Sequence, residues 1–286
     1  MLTEGVGSGG CEDGGGDAAN PLVLIAPAMA IGSWYYTPLI EEFERRHWQA
    51  RALGRRGFEK DQPRASRRAD WSYADEIDDI AAAVSAARTD NPARPVLILG
   101  HSLGGQLAVG HQLSQPPADA VVTVGAAIPH YRHFPAGGLA IATMAAVIVP
   151  LATAVMGYLP KPFFGGPGAR TLMREWAHMV LTGATPFPAP GLIAAPALIV
   201  SLAGDRMSPA AAVDELATRL FDPRGVTRWL YADDDVRPGA SNDHITWVRA
   251  PHRVVDEVVH WWNTAPRNAS AVGLAHSAGS QPNKED

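Results

Sequence analysis

The chain has 286 residues, a formal net charge of −5, 47% hydrophobic residues and 19% charged residues. This composition is typical of a globular protein with a large core, and a negative charge without a long basic run argues against nucleic-acid binding. The one cysteine, Cys11, excludes an internal disulfide, and the Cys and His residues do not have the spacing of a zinc site.

Both ends of the chain have compositions typical of disordered tails. Residues 1–20 are rich in Gly and acidic residues, and residues 265–286 are rich in polar residues with Gly and Pro. The first ten residues, MLTEGVGSGG, lack the basic and apolar regions of a signal peptide. We therefore expect a cytoplasmic protein.

Between the tails, six short apolar segments are predicted to form β-strands, with helical patterns between them. Residues 96–99 and 197–200 are apolar at every position, which is typical of parallel strands covered by helices on both faces. This alternation predicts an α/β protein whose mostly parallel sheet has about six strands. The predicted strands are residues 21–26, 49–53, 95–100, 120–125, 196–202 and 226–231.

Three helices carry start signals. Ser72, with Asp75 three residues later, resembles a capping box. Ser208 is a predicted N-cap, because Pro209 follows at the first helical position. After Pro251, apolar residues recur at helical spacing up to residue 262.

Residues 126–190 interrupt the strand–helix alternation. They have no strand signal and are rich in Pro, Gly and aromatic residues, so we predict a helical cap or lid above the sheet. The α/β core would then comprise residues 21–125 and 191–264.

Within the predicted cap, residues 139–158 form a nearly uninterrupted apolar run, about long enough to cross a bilayer. A membrane span is least favoured, because it would place two halves of one sheet on opposite sides of a membrane. We favour two buried or half-buried helices broken at Pro150. A hairpin with weak, peripheral membrane association is the alternative.

Residues 95–110, PVLILGHSLGGQLAVG, place G-x-S-x-G between a buried strand and a helix. This context predicts a nucleophile elbow, in which a strained turn projects the Ser102 hydroxyl above the sheet. Side chains larger than those of Gly100 and Gly104 would collide with neighbouring backbone. The following helix directs its positive end at the site. The alternative is a tight turn with an inert serine.

A serine nucleophile needs a base and an acid that orients the base, and in this kind of fold the chain order is Ser, acid, His. Asp205 follows the strand 196–202, and His244 lies between the last strand and the last helix. We predict Ser102, Asp205 and His244 as the catalytic residues. Asp205 as a turn residue and His244 as a loop-capping residue are the alternatives, and residues 233–235 are rival acids in a solvated loop.

The oxyanion hole requires two backbone N–H donors. We assign one to Leu103, which directly follows the nucleophile. The other is predicted in the loop after the first strand, with Met29 as first choice and Ala28 as its rival.

The predicted cap also carries apolar, flexible side chains that suit an acyl chain. Ordinary packing within the cap is the alternative interpretation. The candidate substrate-binding residues are Met144, Met173, Trp176 and Met179.

With these residues placed, the chain resembles the α/β-hydrolase superfamily, and more narrowly a group of poorly characterised bacterial predicted hydrolases. The matching motifs are P-A-M at residues 27–29, G-H-S-L-G-G at residues 100–105, Gly204-Asp205 and Asp243-His244. The resemblance covers about residues 21–264. It implies a serine hydrolase that cleaves an ester or related acyl bond through an acyl-enzyme on Ser102. It further implies an α-helical cap and no cofactor. We also expect a small-molecule acyl substrate and no bound metal.

The sequence departs from this family at two places. Members begin with an antiparallel hairpin, whereas the residues before position 21 are too Gly-rich to supply one, so an exposed sheet edge is expected. The first loop has Pro27-Ala28 in place of the more familiar His-Gly pair. Two other functions fit the same motifs: acyl transfer to an alcohol or thiol, and a non-catalytic binding or membrane-associated role. The sequence carries no signal for an oligomeric state.

Overall fold

A computed structural model describes residues 20–135 and 137–265 of the chain. The predicted tails, including Cys11, lie outside these residues except at their innermost positions. Six strands form one parallel sheet in the order β2-β1-β3-β4-β7-β8. A separate antiparallel pair is made by β5 and β6. The strands are β1 (Leu22–Ala26), β2 (Gln49–Ala52), β3 (Val96–His101), β4 (Ala120–Val124), β5 (Tyr158–Leu159), β6 (Gly168–Ala169), β7 (Ala197–Leu202) and β8 (Val226–Tyr231).

The predicted parallel sheet is confirmed, and each of its six predicted strands ends within one residue of the observed bounds. The central strands are buried on both faces because alternate side chains enter two different apolar clusters. In β3, for example, Ile98 packs into the first cluster. Leu97 and Leu99 pack into the second. Among the described residues, β2 is an edge strand, with β1 as its one neighbour in the sheet.

Helices cover both faces of this sheet. Residues of α2, α3 and α7 enter the first apolar cluster, whereas α1 and α8 enter the second. The long helices are α1 (Thr37–Glu44), α2 (Tyr73–Asp90), α3 (Leu103–Ser114), α4 (Gly138–Thr143), α5 (Val149–Met156), α6 (Arg170–Thr182), α7 (Ala210–Leu220) and α8 (His252–Thr264).

The helix start signals have different outcomes. Ser72 and Asp75 form the predicted capping box of α2, with both reciprocal hydrogen bonds present. The N-cap prediction for Ser208 is wrong, because α7 begins at Ala210 and its cap position is Pro209. The Ser208 hydroxyl instead donates to the Gly125 carbonyl at 2.6 Å.

The segment between β4 and β7 is mainly helical, with α4, α5 and α6 as its long elements. Our expectation that this segment has no strand is wrong, since β5 and β6 pair within it. These strands are only two residues long, too short to produce an alternating pattern.

The expected helix break at Pro150 is also wrong. One continuous helix runs from Gly138 to Met156, and its residues Met144–Ile148 are π-helical. Proline removes one backbone donor and crowds the preceding turn, and a π-bulge is a known way to absorb such a defect without ending a helix. The other expectation, a buried or half-buried helix, also fails for one side, where Leu139 is 83% and Leu151 is 63% exposed.

Candidate active site

Ser102 lies in the turn between β3 and α3, at the carboxyl end of the sheet. Its backbone has φ 55° and ψ −119°, a conformation that a side-chain-bearing residue adopts only when its surroundings enforce it. The Ser102 N–H donates to the Val124 carbonyl at 2.9 Å, which ties the turn to the neighbouring strand. The half-buried side chain stands at the N-terminus of α3.

The two glycines of the turn allow the strand and helix to approach closely. A Cβ atom on Gly100 would lie 2.4 Å from the Gly105 Cα, and one on Gly104 would lie 2.0 Å from the Ala26 carbonyl oxygen. Neither backbone atom can move without separating α3 from the sheet. The predicted steric requirement at both positions is therefore confirmed.

The structure brings Ser102, His244 and Asp205 together although they are far apart in sequence. The distance from His244 Nε2 to Ser102 Oγ is 2.8 Å, and from His244 Nδ1 to Asp205 Oδ2 it is 2.6 Å. The Asp205 side chain is fully buried, and that of His244 is 6% exposed. A neutral imidazole here donates Nδ1–H to the carboxylate and accepts the serine proton at Nε2.

Backbone donors hold the Asp205 carboxylate in place. Its other oxygen, Oδ1, accepts from the N–H groups of Met207 and Ser208 at 2.7 and 2.8 Å. Asp205 therefore uses one oxygen to fix its own turn and the other to orient His244.

The loop that carries His244 is organised by Asp243. Its Oδ1 accepts from the N–H groups of Ile245 and Thr246 at 2.8 and 2.7 Å. Burial works to raise the pKa of this carboxyl group, but the hydrogen bonds from Ser241, Thr246 and Ile245 outweigh it and lower the pKa. The ionised Asp243 thus fixes the backbone of the two residues that directly follow His244.

A buried chain of hydrogen bonds joins this loop to the loop after β1. Tyr36 Oη lies 2.8 Å from His101 Nδ1, and His101 Nε2 lies 2.6 Å from the His244 carbonyl oxygen. The carbonyl contact requires the ring hydrogen on Nε2, so Nδ1 accepts from the Tyr36 hydroxyl. That hydroxyl in turn accepts from the Ala28 N–H at 2.8 Å.

The same chain of hydrogen bonds distinguishes the two backbone amides that are candidates for the second oxyanion donor. The Ala28 N–H is already used by Tyr36, whereas the Met29 N–H makes no hydrogen bond to the described part of the chain. The Leu103 N–H is equally uncommitted there. These two amides are therefore the ones left available to an incoming oxyanion.

Arg55 holds the loop after β1 through a hydrogen bond to the loop backbone. It is 3% exposed, forms an ion pair with the buried Glu76, and donates from Nη2 to the Pro27 carbonyl. Burial lowers its pKa to about 10, so the guanidinium stays charged at neutral pH. The carbonyl directly before Ala28 is thus held by a fixed positive group.

A small cavity of about 20 Å³ opens beside the two free amides, with about the space of one water molecule. Its walls combine the loop after β1, the start of α3 and the segment between β4 and β7. They consist of Met29, Ala30, Arg55, Phe58, Trp71, Glu76, Leu103, Phe164, Gly166, Gly168, Ala169, Leu172 and Met173.

Of the predicted substrate-binding residues, the structure places Met173 in this cavity wall. Trp176 instead packs edge-to-face against Phe164, at 4.8 Å between ring centroids, and Met179 is buried in the core. Met144 packs against the same core. Helical spacing on α6 could not separate the cavity side from the core side, because both are apolar.

Sequence reasoning missed Tyr36, Arg55 and the positioning contacts of His101. Tyr36 and Arg55 belong to no local motif, and the motif that contains His101 does not reveal the contacts of its ring. The contacts Tyr36–His101, Arg55–Pro27 and His101–His244 each join positions at least 28 apart. Gly125 was also missed as a residue that contacts the site. Its signal in the sequence is weak, because it is simply a glycine at the end of a predicted core strand. Among the described residues, no cluster of His, Cys, Asp and Glu could hold a metal ion.

Comparison with family models identifies a family for this chain. The model of the family described as "Serine aminopeptidase, S33" matches residues 17–276. No curated protein matches the chain by sequence.

Solved structures of several hydrolases share the fold. A monoacylglycerol lipase from Paleococcus ferrophilus is 18% identical, with a TM-score of 0.55, over 84% of this chain and 95% of that one. A structure of one of the metagenome-derived lipolytic enzymes LipS and LipT gives 17% identity and a TM-score of 0.59, over 86% and 94%. Mouse alpha/beta hydrolase domain-containing protein 10 gives 15% and 0.54, over 86% and 92%.

Proposed function

This chain belongs to the serine aminopeptidase S33 family of α/β hydrolases, and we propose that it is a serine hydrolase that cleaves an ester of a small or apolar acyl group. The observation that carries the proposal is the unbroken hydrogen-bonded series Ser102, His244, Asp205 at the carboxyl edge of the sheet. A cluster whose residues merely capped loops would not require the strained backbone of Ser102.

The proposed reaction begins with attack of Ser102 Oγ on the substrate carbonyl carbon. The hydroxyl proton passes to His244 Nε2, and Asp205 stabilises the imidazolium that forms. The carbonyl oxygen becomes an oxyanion between the N–H groups of Leu103 and Met29, at the positive end of α3. The imidazolium then protonates the leaving alcohol, and the acyl group remains on Ser102.

In the second half of the reaction, water enters in place of the alcohol. His244 takes one proton from the water, and the resulting hydroxide adds to the acyl carbon. The second tetrahedral intermediate collapses when Ser102 Oγ leaves and recovers its proton from His244. The products are the carboxylic acid and the free enzyme.

The cavity beside the free amides favours an apolar acyl group over an amino-terminal residue. An aminopeptidase must neutralise the substrate's ammonium group. Among the described residues of the cavity wall, the one carboxylate, Glu76, is already paired with Arg55. Phe58, Phe164 and Met173 supply apolar contact instead.

The size of this cavity bears on chain length. At about 20 Å³ the cavity is too small for a long acyl chain, so such a chain would have to displace the side chains of Phe164 or Met173. Methionine is flexible enough for such a rearrangement. We therefore expect short esters to react readily and longer ones to react with a higher KM.

The test is hydrolysis of p-nitrophenyl esters from acetate to decanoate, with an aminoacyl p-nitroanilide as the amide counterpart. The wild-type protein should hydrolyse the esters faster than the anilide. Ser102→Ala should lower kcat by about 10³-fold or more, and Ser85→Ala, on the exposed face of α2, should leave it unchanged. Ester hydrolysis by Ser102→Ala at the wild-type rate would refute the proposal.

A further inference from the structure

The helix Gly138–Met156 is an unusual surface element. It has 19 residues, and its best window has a mean hydropathy of 2.3 with only 17% of that window buried, so by length and composition alone it could cross a membrane. From position 134 to position 160 the sequence contains no charged residue. A helix that is apolar all round normally lies in a core or in lipid.

One side of this helix is attached to the protein along its length. Ala145, Val149 and Thr153, at every fourth position, are at most 1% exposed. Thr153 Oγ1 accepts from Arg174 Nε of α6 at 2.9 Å. A helix fixed in this way cannot be surrounded by lipid on all sides, so it is suited to lie along a surface rather than to span a bilayer.

The opposite side is exposed and apolar. Val147, Leu151 and Val155, also four residues apart, are 54%, 63% and 60% exposed, and Leu139 at the start of the helix is 83% exposed. Exposed apolar side chains scattered singly are common, but several on one face of a helix mark a surface that contacts another apolar phase. Thr143 is the one polar residue between Leu139 and Val147 on this face. We call the four apolar residues the apolar row.

Basic side chains flank the apolar row at both ends. Arg67 and Arg68 are exposed beside Val155 and Met156, and the Arg67 guanidinium donates to the Val155 carbonyl. Arg132 is exposed before the helix. The one acidic residue in the sequence from 64 to 70 and from 131 to 170 is Asp70, which is paired with Arg170.

We propose that the apolar row docks this protein onto the surface of a bilayer that contains anionic lipids. The row would enter the boundary between headgroups and acyl chains, and the flanking arginines would meet the lipid phosphates. A second copy of the chain fits less well. With basic residues at both ends, two apolar rows in either relative orientation would set like charges against each other.

The segment that carries the apolar row also supplies Phe164, Leu172 and Met173 to the cavity next to Leu103. Docking would therefore place the lipid phase against the same β4–β7 segment that lines this cavity. The docking proposal does not depend on catalysis, because none of its residues belongs to the series of Ser102, His244 and Asp205.

The experiment is co-sedimentation of the full chain with vesicles of phosphatidylcholine, with or without phosphatidylglycerol, at low and high salt. Binding should require phosphatidylglycerol and weaken at high salt. Leu151→Glu should reduce binding about tenfold or more, and Arg68→Glu should reduce it on anionic vesicles. Leu230→Glu is the matched control, since Leu230 is 52% exposed on β8, and it should bind as the wild type does.

Two further measurements keep this result separate from the proposed catalysis. Ser102→Ala should bind vesicles like the wild type, and Leu151→Glu should hydrolyse a water-soluble ester at the wild-type rate. Equal binding of wild type and Leu151→Glu would overturn the proposal. So would retention in the membrane at alkaline pH, which indicates a span, or conversion of a dimer to a monomer by Leu151→Glu without any vesicle binding.

Discussion

Gly125 lies where the backbone after β4 passes closest to the candidate acid and base. Its φ is +60°, and a Cβ atom there would lie 3.0 Å from Asp205 Oδ2 and 3.2 Å from His244 Nδ1. Its carbonyl also accepts from the Ser208 hydroxyl. The residue thus combines a conformation that favours glycine with space that the Asp205–His244 hydrogen bond needs.

Replacement of Gly125 by Ala should therefore impair both stability and activity. We expect the free energy of unfolding to fall by about 1–3 kcal/mol from backbone strain. The kcat for ester hydrolysis should fall at least about tenfold, because the methyl group displaces the imidazole from Ser102. Urea denaturation and initial rates measure the two effects.

Gly137→Ala is the control for this substitution, because no atom of the described residues beyond its chain neighbours lies within 4 Å of a Cβ atom at Gly137. It should change neither quantity appreciably. Wild-type kcat in Gly125→Ala would contradict the positioning assigned to this residue.

At the residue scale, the sequence predicts those candidate site residues that are marked by local motifs. Ser102 is marked by its glycine turn, and Asp205 and His244 by their places after predicted strands. The supporting residues could not be found in this way, because Tyr36 and Arg55 contact the site only through the tertiary fold. The Ala28 and Met29 amides likewise looked alike until the hydroxyl of Tyr36 was located.

At the scale of elements, the loops after β1 and β8 are coupled through Tyr36 and His101. The chain runs from the Ala28 N–H to the Tyr36 hydroxyl, to His101 Nδ1, and from His101 Nε2 to the His244 carbonyl. One loop offers the Met29 amide and the other carries the base. A single buried network thus fixes the Met29 amide, the proposed oxyanion donor, relative to His244, the proposed general base.

Tyr36→Phe tests this coupling. It leaves the Ala28 N–H and His101 Nδ1 without a partner in a buried site, which costs about 1–3 kcal/mol of stability for each such group. We expect kcat to fall while KM for a short ester changes little, since the cavity wall does not include Tyr36. Tyr158→Phe is the control, because its hydroxyl forms no hydrogen bond with the described residues.

A loss of stability in Tyr36→Phe with unaltered kcat would mean that the hydroxyl acts only in packing. We predict instead that kcat, measured well below the unfolding temperature, falls because the hydrogen bonds between Tyr36, Ala28 and His101 are lost.

Among the helices and strands, some could be predicted from the sequence pattern and others could not. The strands were predicted closely because fully apolar runs between turns have one interpretation in an α/β chain. The continuity of the helix Gly138–Met156 was not predicted, because proline ordinarily breaks a helix. The π-helical turn before Pro150 leaves no signature in the sequence. The exposure of this helix was also unpredictable, since an apolar run suits a core as well as a lipid surface.

For the molecule as a whole, stability should fall as the pH drops below about 6.5. Burial, with a smaller contribution from His244, lowers the pKa of His101 to about 3, and burial lowers the pKa of His111 to about 4. Both groups have lower pKa values in the folded than in the unfolded protein, so the unfolded state binds more protons in this range. Stability is therefore fully present above pH 6.5 and is lost toward the folded-state values.

Urea denaturation between pH 7.5 and 4.5 checks this expectation. The slope should approach about 1.4 kcal/mol per pH unit for each histidine. His111→Asn should remove one such contribution, whereas the same substitution at the exposed His260 should not. A flat profile between pH 6.5 and 4.5 would show that these histidines are not held neutral.

The most direct test of the central claim is covalent labelling with a fluorophosphonate probe, followed by intact-mass and peptide analysis. We predict one label per chain, on Ser102. Labelling of His244→Ala should be at least about 100-fold slower, and folded Ser102→Ala should not be labelled. An unlabelled wild-type protein, or equal labelling of Ser102→Ala, would contradict a serine activated by His244 and Asp205.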